Sequence, residues 1–220
     1  MPHAAPARVA GTDFSAQRLP RGRHGLPASY VAENQRWRLL GAAAEVFAER
    51  GYARTSSHAI ADRAGVSRTT FYRNFADVDS CLLAAHEVAA DCLWELASAA
   101  FAGAGEWPER LRAALEAAID FLLSEPTLAC LLGAELPAGV VVAVPARERL
   151  LERLAGLLRE GRPQSLQPGH EPPPNAELHL IAAIFVLLGD RVADGDLESL
   201  PALTPELTEI VGIAWRQTAW

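Results

Sequence analysis

Residues Thr55–Phe75 read TSSHAIADRAGVSRTTFYRNF, and the punctuation inside that stretch decides the fold. A run able to be helical from about Ser57 to Ala64 meets Gly65, which can take the left-handed conformation that ends a helix without a Cβ clash. Ser67 then supplies an oxygen to cap a second helix. Ile60, Val66 and Phe71 are spaced to meet in one small core, with Phe47 and Phe75 closing it from the side. Arg68, Thr69, Thr70, Tyr72, Arg73 and Asn74 are left pointing outward. That outer face carries hydroxyls and an amide for base edges, arginines for guanine or phosphate, and a phenol for phosphate. The layout is a helix-turn-helix reading head.

Upstream, an amphipathic helix is expected over about Asn34 to Arg50, with Leu39, Leu40, Ala43, Val46 and Phe47 as its buried stripe. It stops at Gly51-Tyr52. Beyond Phe75, Ala76-Asp77-Val78-Asp79 reads as a fresh helix start with acidic residues in its first turn.

The order Leu39-Leu40, Ala43, Phe47, Arg50-Gly51-Tyr52, Thr55-Ser56, Ile60-Ala61, Ala64-Gly65-Val66-Ser67, Phe71-Tyr72, Phe75, Leu82 resembles the N-terminal domain of TetR-family transcriptional regulators. The resemblance covers about residues 35–83. It implies an all-α fold: a three-helix helix-turn-helix head plus a C-terminal ligand and dimerisation domain of about six helices. It also implies a homodimer on a near-palindromic DNA operator, with a small-molecule effector. Family members often carry a lysine where this chain has Val78 and a glycine where it has Thr69. The first change removes a phosphate contact; the second adds a hydroxyl and a methyl to the reading face.

Net charge is −7, every basic side chain is arginine, and the two halves differ. Residues 1–86 hold 11 arginines against 7 acids, whereas residues 87–220 hold 9 against 20. Phosphate attraction is screened within about 8–10 Å at physiological salt, so a basic head on an acidic body is compatible with DNA binding. No run approaches the roughly 20 apolar residues of a membrane helix. No leader is apparent and there are only three cysteines, so a reducing cytoplasm is the expected location. Cys81 and Cys92 share a helical face but lie about 16 Å apart along it, so no metal site is expected. No cofactor, phosphate loop or nucleophile elbow is expected either, and the chain is read as a non-enzyme.

The chain divides into an arm (1–33), the head (34–76) and the body (77–220). Within the arm, Leu19-Pro20-Arg21-Gly22-Arg23-His24 resembles the Pro-Arg-Gly-Arg-Pro core of AT-hook peptides. An extended Arg-Gly-Arg suits the narrow minor groove of A·T-rich DNA. The expected DNA-contacting set is therefore Arg21 and Arg23 from the arm, Ser56 and His58 at the start of the first reading-head helix, and Ser67, Arg68, Thr69, Thr70, Tyr72, Arg73 and Asn74.

In the body, helices are expected over about Asp77–Ala100, Trp107–Ser124, Thr127–Glu135, Val142–Glu160, Ala176–Ala193 and Thr204–Gln217. The Pro-rich stretch Gly161–Asn175 is expected to be a loop. His86, Trp94, Phe101, Trp107, Phe121, Cys130 and Leu131 are candidates for an effector pocket. The helix over Ala176–Ala193 is apolar nearly all round and must be covered on both sides. Leu178, Ile181, Phe185 and Leu188, with Leu207, Ile210, Val211 and Ala214 of the last helix, are the candidate dimer interface.

Overall fold

The computed structural model describes residues 27–133, 144–160 and 173–216. Nine helices and no strand occur among the described residues. The head is α1 (Ala28–Arg50), α2 (Ser57–Ala64) and α3 (Arg68–Asn74). The body is α4 (Val78–Phe101), α5 (Trp107–Ser124), α6 (Pro126–Gly133), α7 (Val144–Glu160), α8 (Ala176–Ala193) and α9 (Leu200–Arg216).

Local chemistry accounts for the breaks. Asp77 and Ser80 form a reciprocal capping box at the start of α4, satisfying two backbone donors that helix geometry leaves orphaned. Glu106 and Glu109 do the same for α5, with Pro108 in its first turn. Gly51 takes φ 71 after α1, so the chain can reverse there without a Cβ clash.

Two helices begin earlier than the sequence suggests. α1 starts at Ala28 rather than near Asn34, with Pro27 as its N-cap, so residues 28–33 belong to a helix and not to an arm. Its first turns are largely solvent-exposed and carry no apolar stripe, which removes the periodicity that would have revealed them. α9 starts at Leu200 rather than Thr204 and contains Pro205. Leu200 is fully buried and anchors that first turn. The missing N–H of Pro205 costs one hydrogen bond close to the helix start, where the loss is best tolerated.

The core is continuous from head to body. Leu39, Leu40 and Phe47 of α1 join Leu82, Ala85 and Ala89 of α4, and these join α5, α6, α7 and α8 in one cluster. Arg149 pairs with Glu87 at 2.8 Å and Arg153 with Asp91 at 2.7 Å, both at a spacing of 62 residues. That constant offset means α4 and α7 run parallel. Both pairs are exposed and contribute little to stability; their use here is to set the register.

α6 packs on α1 of the head and on α8 of the body. Its approach to α8 is set by Gly133 against Gly189. A Cβ on Gly133 would come 3.1 Å from the Gly189 Cα, and one on Gly189 would come 3.4 Å from the Gly133 Cα. Both obstacles are backbone, which cannot swing aside. Gly156 of α7 is the contrast, because an added methyl there would meet nothing within 4 Å. Gly133→Ala should therefore destabilise the fold by about 1–3 kcal/mol. Gly156→Ala should stabilise it by about 0.5–1 kcal/mol through helix propensity. Urea unfolding of the two variants checks both signs.

Candidate nucleic-acid interface and ligand cavity

The turn between α2 and α3 is held from three sides. Gly65 sits at φ 63, ψ 38; its N–H bonds Asp62 O at 3.0 Å and the Val66 N–H reaches back to Ala61 O at 2.9 Å. This is the pairing that terminates helices at a left-handed glycine. From α1, Arg38 donates to Ala64 O and, at 3.2 Å, to Gly65 O, covering carbonyls that α2 leaves open. Ser67 Oγ then accepts the Thr70 N–H at 3.0 Å and caps α3. Ser56 caps α2 by the same device, accepting from Ala59 N at 3.2 Å.

Behind the turn, Ile60 and Phe71 are fully buried, with Phe47 and Phe75 beside them and Val66 packed against them. In front, Arg68, Thr69, Tyr72 and Arg73 are exposed, as are Ser56, His58 and Ser67; Thr70 and Asn74 are half-buried. Asn74 spends part of its amide on Thr70 O, 2.9 Å away. The described members of the DNA-contacting set thus lie on one three-helix unit. Arg21 and Arg23, and with them the arm's Arg-Gly-Arg, lie outside the described residues.

Sequence reasoning missed three members of this unit. Ser57 Oγ and the Tyr72 hydroxyl lie 3.0 Å apart, tying α2 to α3. That bond, and after it the Arg68 guanidinium, draws the Tyr72 phenol below its ordinary pKa. Tyr52 donates to Asp79 Oδ1 at 2.8 Å, fastening the connector after α1 to the first turn of α4. Arg38 is the third. None carries a local signal, since each acts across 15 to 27 residues. One head cation is also taken out of consideration for DNA: Arg63 bonds Glu45 and Glu49 on α1, and their hydrogen bonds raise its already high pKa.

In the body, nineteen residues of α4 to α8 line one cavity with about 770 Å³ of empty space, its open mouth included. Leu93 and Ala97 of α4, Leu111 and Leu115 of α5, Ala129 and Gly133 of α6, Leu154 and Leu158 of α7, and Phe185 and Gly189 of α8 are among them. None of the nineteen is charged or carries a polar side chain. Such a wall favours an aliphatic occupant that asks for no hydrogen bonds.

The seven candidate pocket residues are not on that wall. Phe101 is buried under the Arg110 guanidinium, 4.1 Å from its ring centre. Trp107 Nε1 donates to Leu157 O at 3.3 Å, and Trp94 lies under Arg153. Phe121 and Leu131 are buried in the core, and Cys130 is half-buried against it. His86 is also off the wall.

The interface candidates divide between the protomer's own core and its surface. Ile181, Leu188, Leu207 and Val211 are buried within the protomer, and Ile181, Phe185 and Leu188 line the cavity. Leu178 is half-buried against the core. Ile210 is 43% exposed, and Val186, which was not a candidate, is 49% exposed. The side chain of Ala214 lies outside the described residues. The physical reason is that α8 is apolar on both sides, and its periodicity does not say which side turns inward.

His86 of α4 is the buried polar group that packing alone does not explain. It is 3% exposed, and its Nδ1 has no hydrogen-bond partner among the described residues. Burial, helped by Arg147 and Arg149, lowers its pKa from 6.5 to about 4.

A three-helix head presenting a capped, arginine-bearing helix is joined through one core to an all-helical body with an apolar cavity. Residues 39–85 match the family model described as "Bacterial regulatory proteins, tetR family". Over that stretch the chain is similar to the DNA-binding domain of TetR-family transcriptional regulators. It is 36% identical over 115 residues to the HTH-type transcriptional activator FasR of Mycolicibacterium smegmatis, a stretch covering 52% of this chain and 48% of FasR. The match thus spans about half the length of that curated relative. Among solved structures, the fatty acid degradation regulator FadR of Bacillus halodurans superposes with a TM-score of 0.66 at 20% identity, covering 80% of this chain and 94% of that one. FadR of Bacillus subtilis, solved in complex with stearoyl-CoA, gives 0.63 at 22% identity, covering 79% and 96%. At these identities the two structures share the fold. Among the described residues, no helix is long and apolar enough to cross a membrane.

The depressed pKa of His86 has a measurable consequence. Between about pH 6.5 and 4 the unfolded state binds a proton that the folded state refuses. Stability is therefore complete above about pH 6.5 and falls as the pH drops toward 4. Between pH 7 and 5 the loss from this residue should be about 2 kcal/mol. Urea titrations across that range should show a flatter profile for His86→Gln than for the unaltered chain.

Proposed function

We propose that this chain is a homodimeric, sequence-specific regulator that grips a near-palindromic operator until an aliphatic small molecule fills the cavity in its body. The observation that carries this reading is the uncharged cavity, whose wall includes Ala129, Leu132 and Gly133 of α6. The same short helix packs on α1 of the head. A ligand that binds better when α6 is displaced shifts the head with it, because a ligand moves an equilibrium only by its differential affinity for the two states. The stearoyl-CoA carried by the B. subtilis FadR structure supports a long acyl chain as the occupant.

The second copy would cover the outer face of α8 and α9, where Ala183, Val186 and Ile210 are exposed. Two heads then meet successive major-groove faces about 34 Å apart. Arg68, Thr69, Thr70 and Arg73 would face base edges; Tyr72 and Asn74 would face phosphates or the groove wall, and Ser56 and His58 the backbone. Release by ligand makes the protein a repressor where the operator overlaps a promoter. The description of FasR as an activator favours the opposite sign, and the position of the recovered site relative to a promoter separates the two.

Selection of bound DNA from a random pool should enrich a near-palindrome, and repeating the binding with stearoyl-CoA should lower the bound fraction at least tenfold. Failure to enrich any two-fold site would overturn the central reading. Persistence of binding at saturating aliphatic ligand would leave an effector-independent DNA binder.

The Arg21-Gly22-Arg23 arm is proposed to enter the minor groove beside each half-site. Arg21→Ala with Arg23→Ala should weaken operator binding severalfold and flatten its dependence on salt, by roughly one unit of log–log slope per lost phosphate contact. Filter binding across a salt series measures both quantities.

A further inference from the structure

The cavity wall has no group able to hold the polar end of an amphipathic ligand, yet two such groups lie just beyond it. Arg147 of α7 holds its guanidinium over the ring of Phe185, 5.3 Å from the ring centre, and Phe185 is on the cavity wall. No carboxylate pairs with Arg147 among the described residues, whereas its neighbours Arg149 and Arg153 are both taken by α4. His86 is nine-tenths buried or more, with an unpartnered Nδ1, and lies close enough to Arg147 to be influenced by its charge.

Register brings the two together. The 62-residue offset between α4 and α7 sets Arg147 level with Ala85 and His86 level with Glu148. His86 is seven residues before Leu93, and Arg147 is seven before Leu154; both leucines line the cavity. Seven residues are about two turns, so each polar residue continues the wall-forming face of its own helix, about 10 Å toward the head. Glu87 and Asp91, the α4 acids at this level, are already bonded to Arg149 and Arg153. α6, which also packs on α4, carries no charged residue.

We propose that Arg147, with His86, forms an anion subsite at the headward end of the cavity, so that the ligand is an aliphatic chain ending in a carboxylate or phosphate. This rests on the ligand reading above and adds to it the charge of the head group. Arg147 supplies the fixed positive charge, and a planar guanidinium accepts either anion through two parallel N–H bonds. His86 supplies a ring nitrogen that gains a hydrogen bond no described residue gives it, which restores part of what its burial costs.

The test uses the full chain and three probes below their micellar concentrations: oleate, oleyl phosphate and oleyl alcohol, titrated by calorimetry. At least one anion should bind tenfold or more tightly than the alcohol, and which anion wins separates a carboxylate from a phosphate. Arg147→Gln should cut that affinity about tenfold or more while leaving the alcohol within twofold. Arg147→Lys should keep most of the preference, and His86→Gln should cost about threefold or more in the anion arm alone. Thermal unfolding of each variant checks that it is folded. Equal affinity for the alcohol and both anions overturns the subsite, as does a loss in Arg147→Gln that falls equally on all three probes. Failure of all three probes to bind overturns the ligand reading itself, and the subsite with it.

Discussion

Backbone touches backbone where Gly133 of α6 meets Gly189 of α8, and the arrangement of the other helices follows from that contact. α6 has eight residues and must reach α1 on one side and α8 on the other. It can do so only if one crossing is made without side chains. With larger residues there, α6 would stand farther from α8, and either the cavity between them would open to solvent or α6 would crowd α1. Packed helices respond to such pressure by shifting between discrete arrangements, not by compressing. The same short helix is therefore both a wall of the cavity and a support for the three-helix head.

Charge is distributed along the same axis. The head carries an excess of arginine and the body an excess of acid, yet the structure does not leave every head arginine facing outward. Arg38 holds the turn before α3, Arg63 is tied to two α1 carboxylates, and Arg36 lies 4.7 Å over the Phe75 ring. Of the other described head arginines, Arg68 and Arg73 lie exposed on α3, Arg50 at the end of α1 and Arg54 in the turn after it. Rigid attachment of α3 matters more than the count of cations, because hydrogen bonds to bases and phosphates reward only groups already in place.

How much of this was legible in the sequence depended on what kind of signal each feature leaves. The bounds of α2, α5 and α8 coincide with the expected ones, because Gly65, Ser67, Glu125-Pro126 and Asn175 act within a turn of themselves. The first turns of α1 and α9 were not legible: one is solvent-exposed without a stripe, and the other holds two prolines. The pocket candidates lie off the cavity wall for a more general reason. Trp94, Phe101, Trp107 and Phe121 are large, and large side chains fill space. The cavity exists where alanine, glycine and leucine leave it open, and an absence of volume has no signature along the chain. The roles of Arg38, Ser57 and Tyr52 were invisible because each acts on a partner remote in sequence.

Cys81 gives the junction between head and body an unusual property. Its thiol is fully buried between α1 and α4, donates to Leu39 O at 3.9 Å, and is pushed by burial up to about 12. A thiol so held reacts with alkylating reagents only when the two helices part, since the thiolate is the nucleophile and neither it nor the reagent is otherwise accessible. The rate of alkylation at Cys81, told apart from Cys92 and Cys130 by peptide mapping, is then a clock for opening at the junction between head and body.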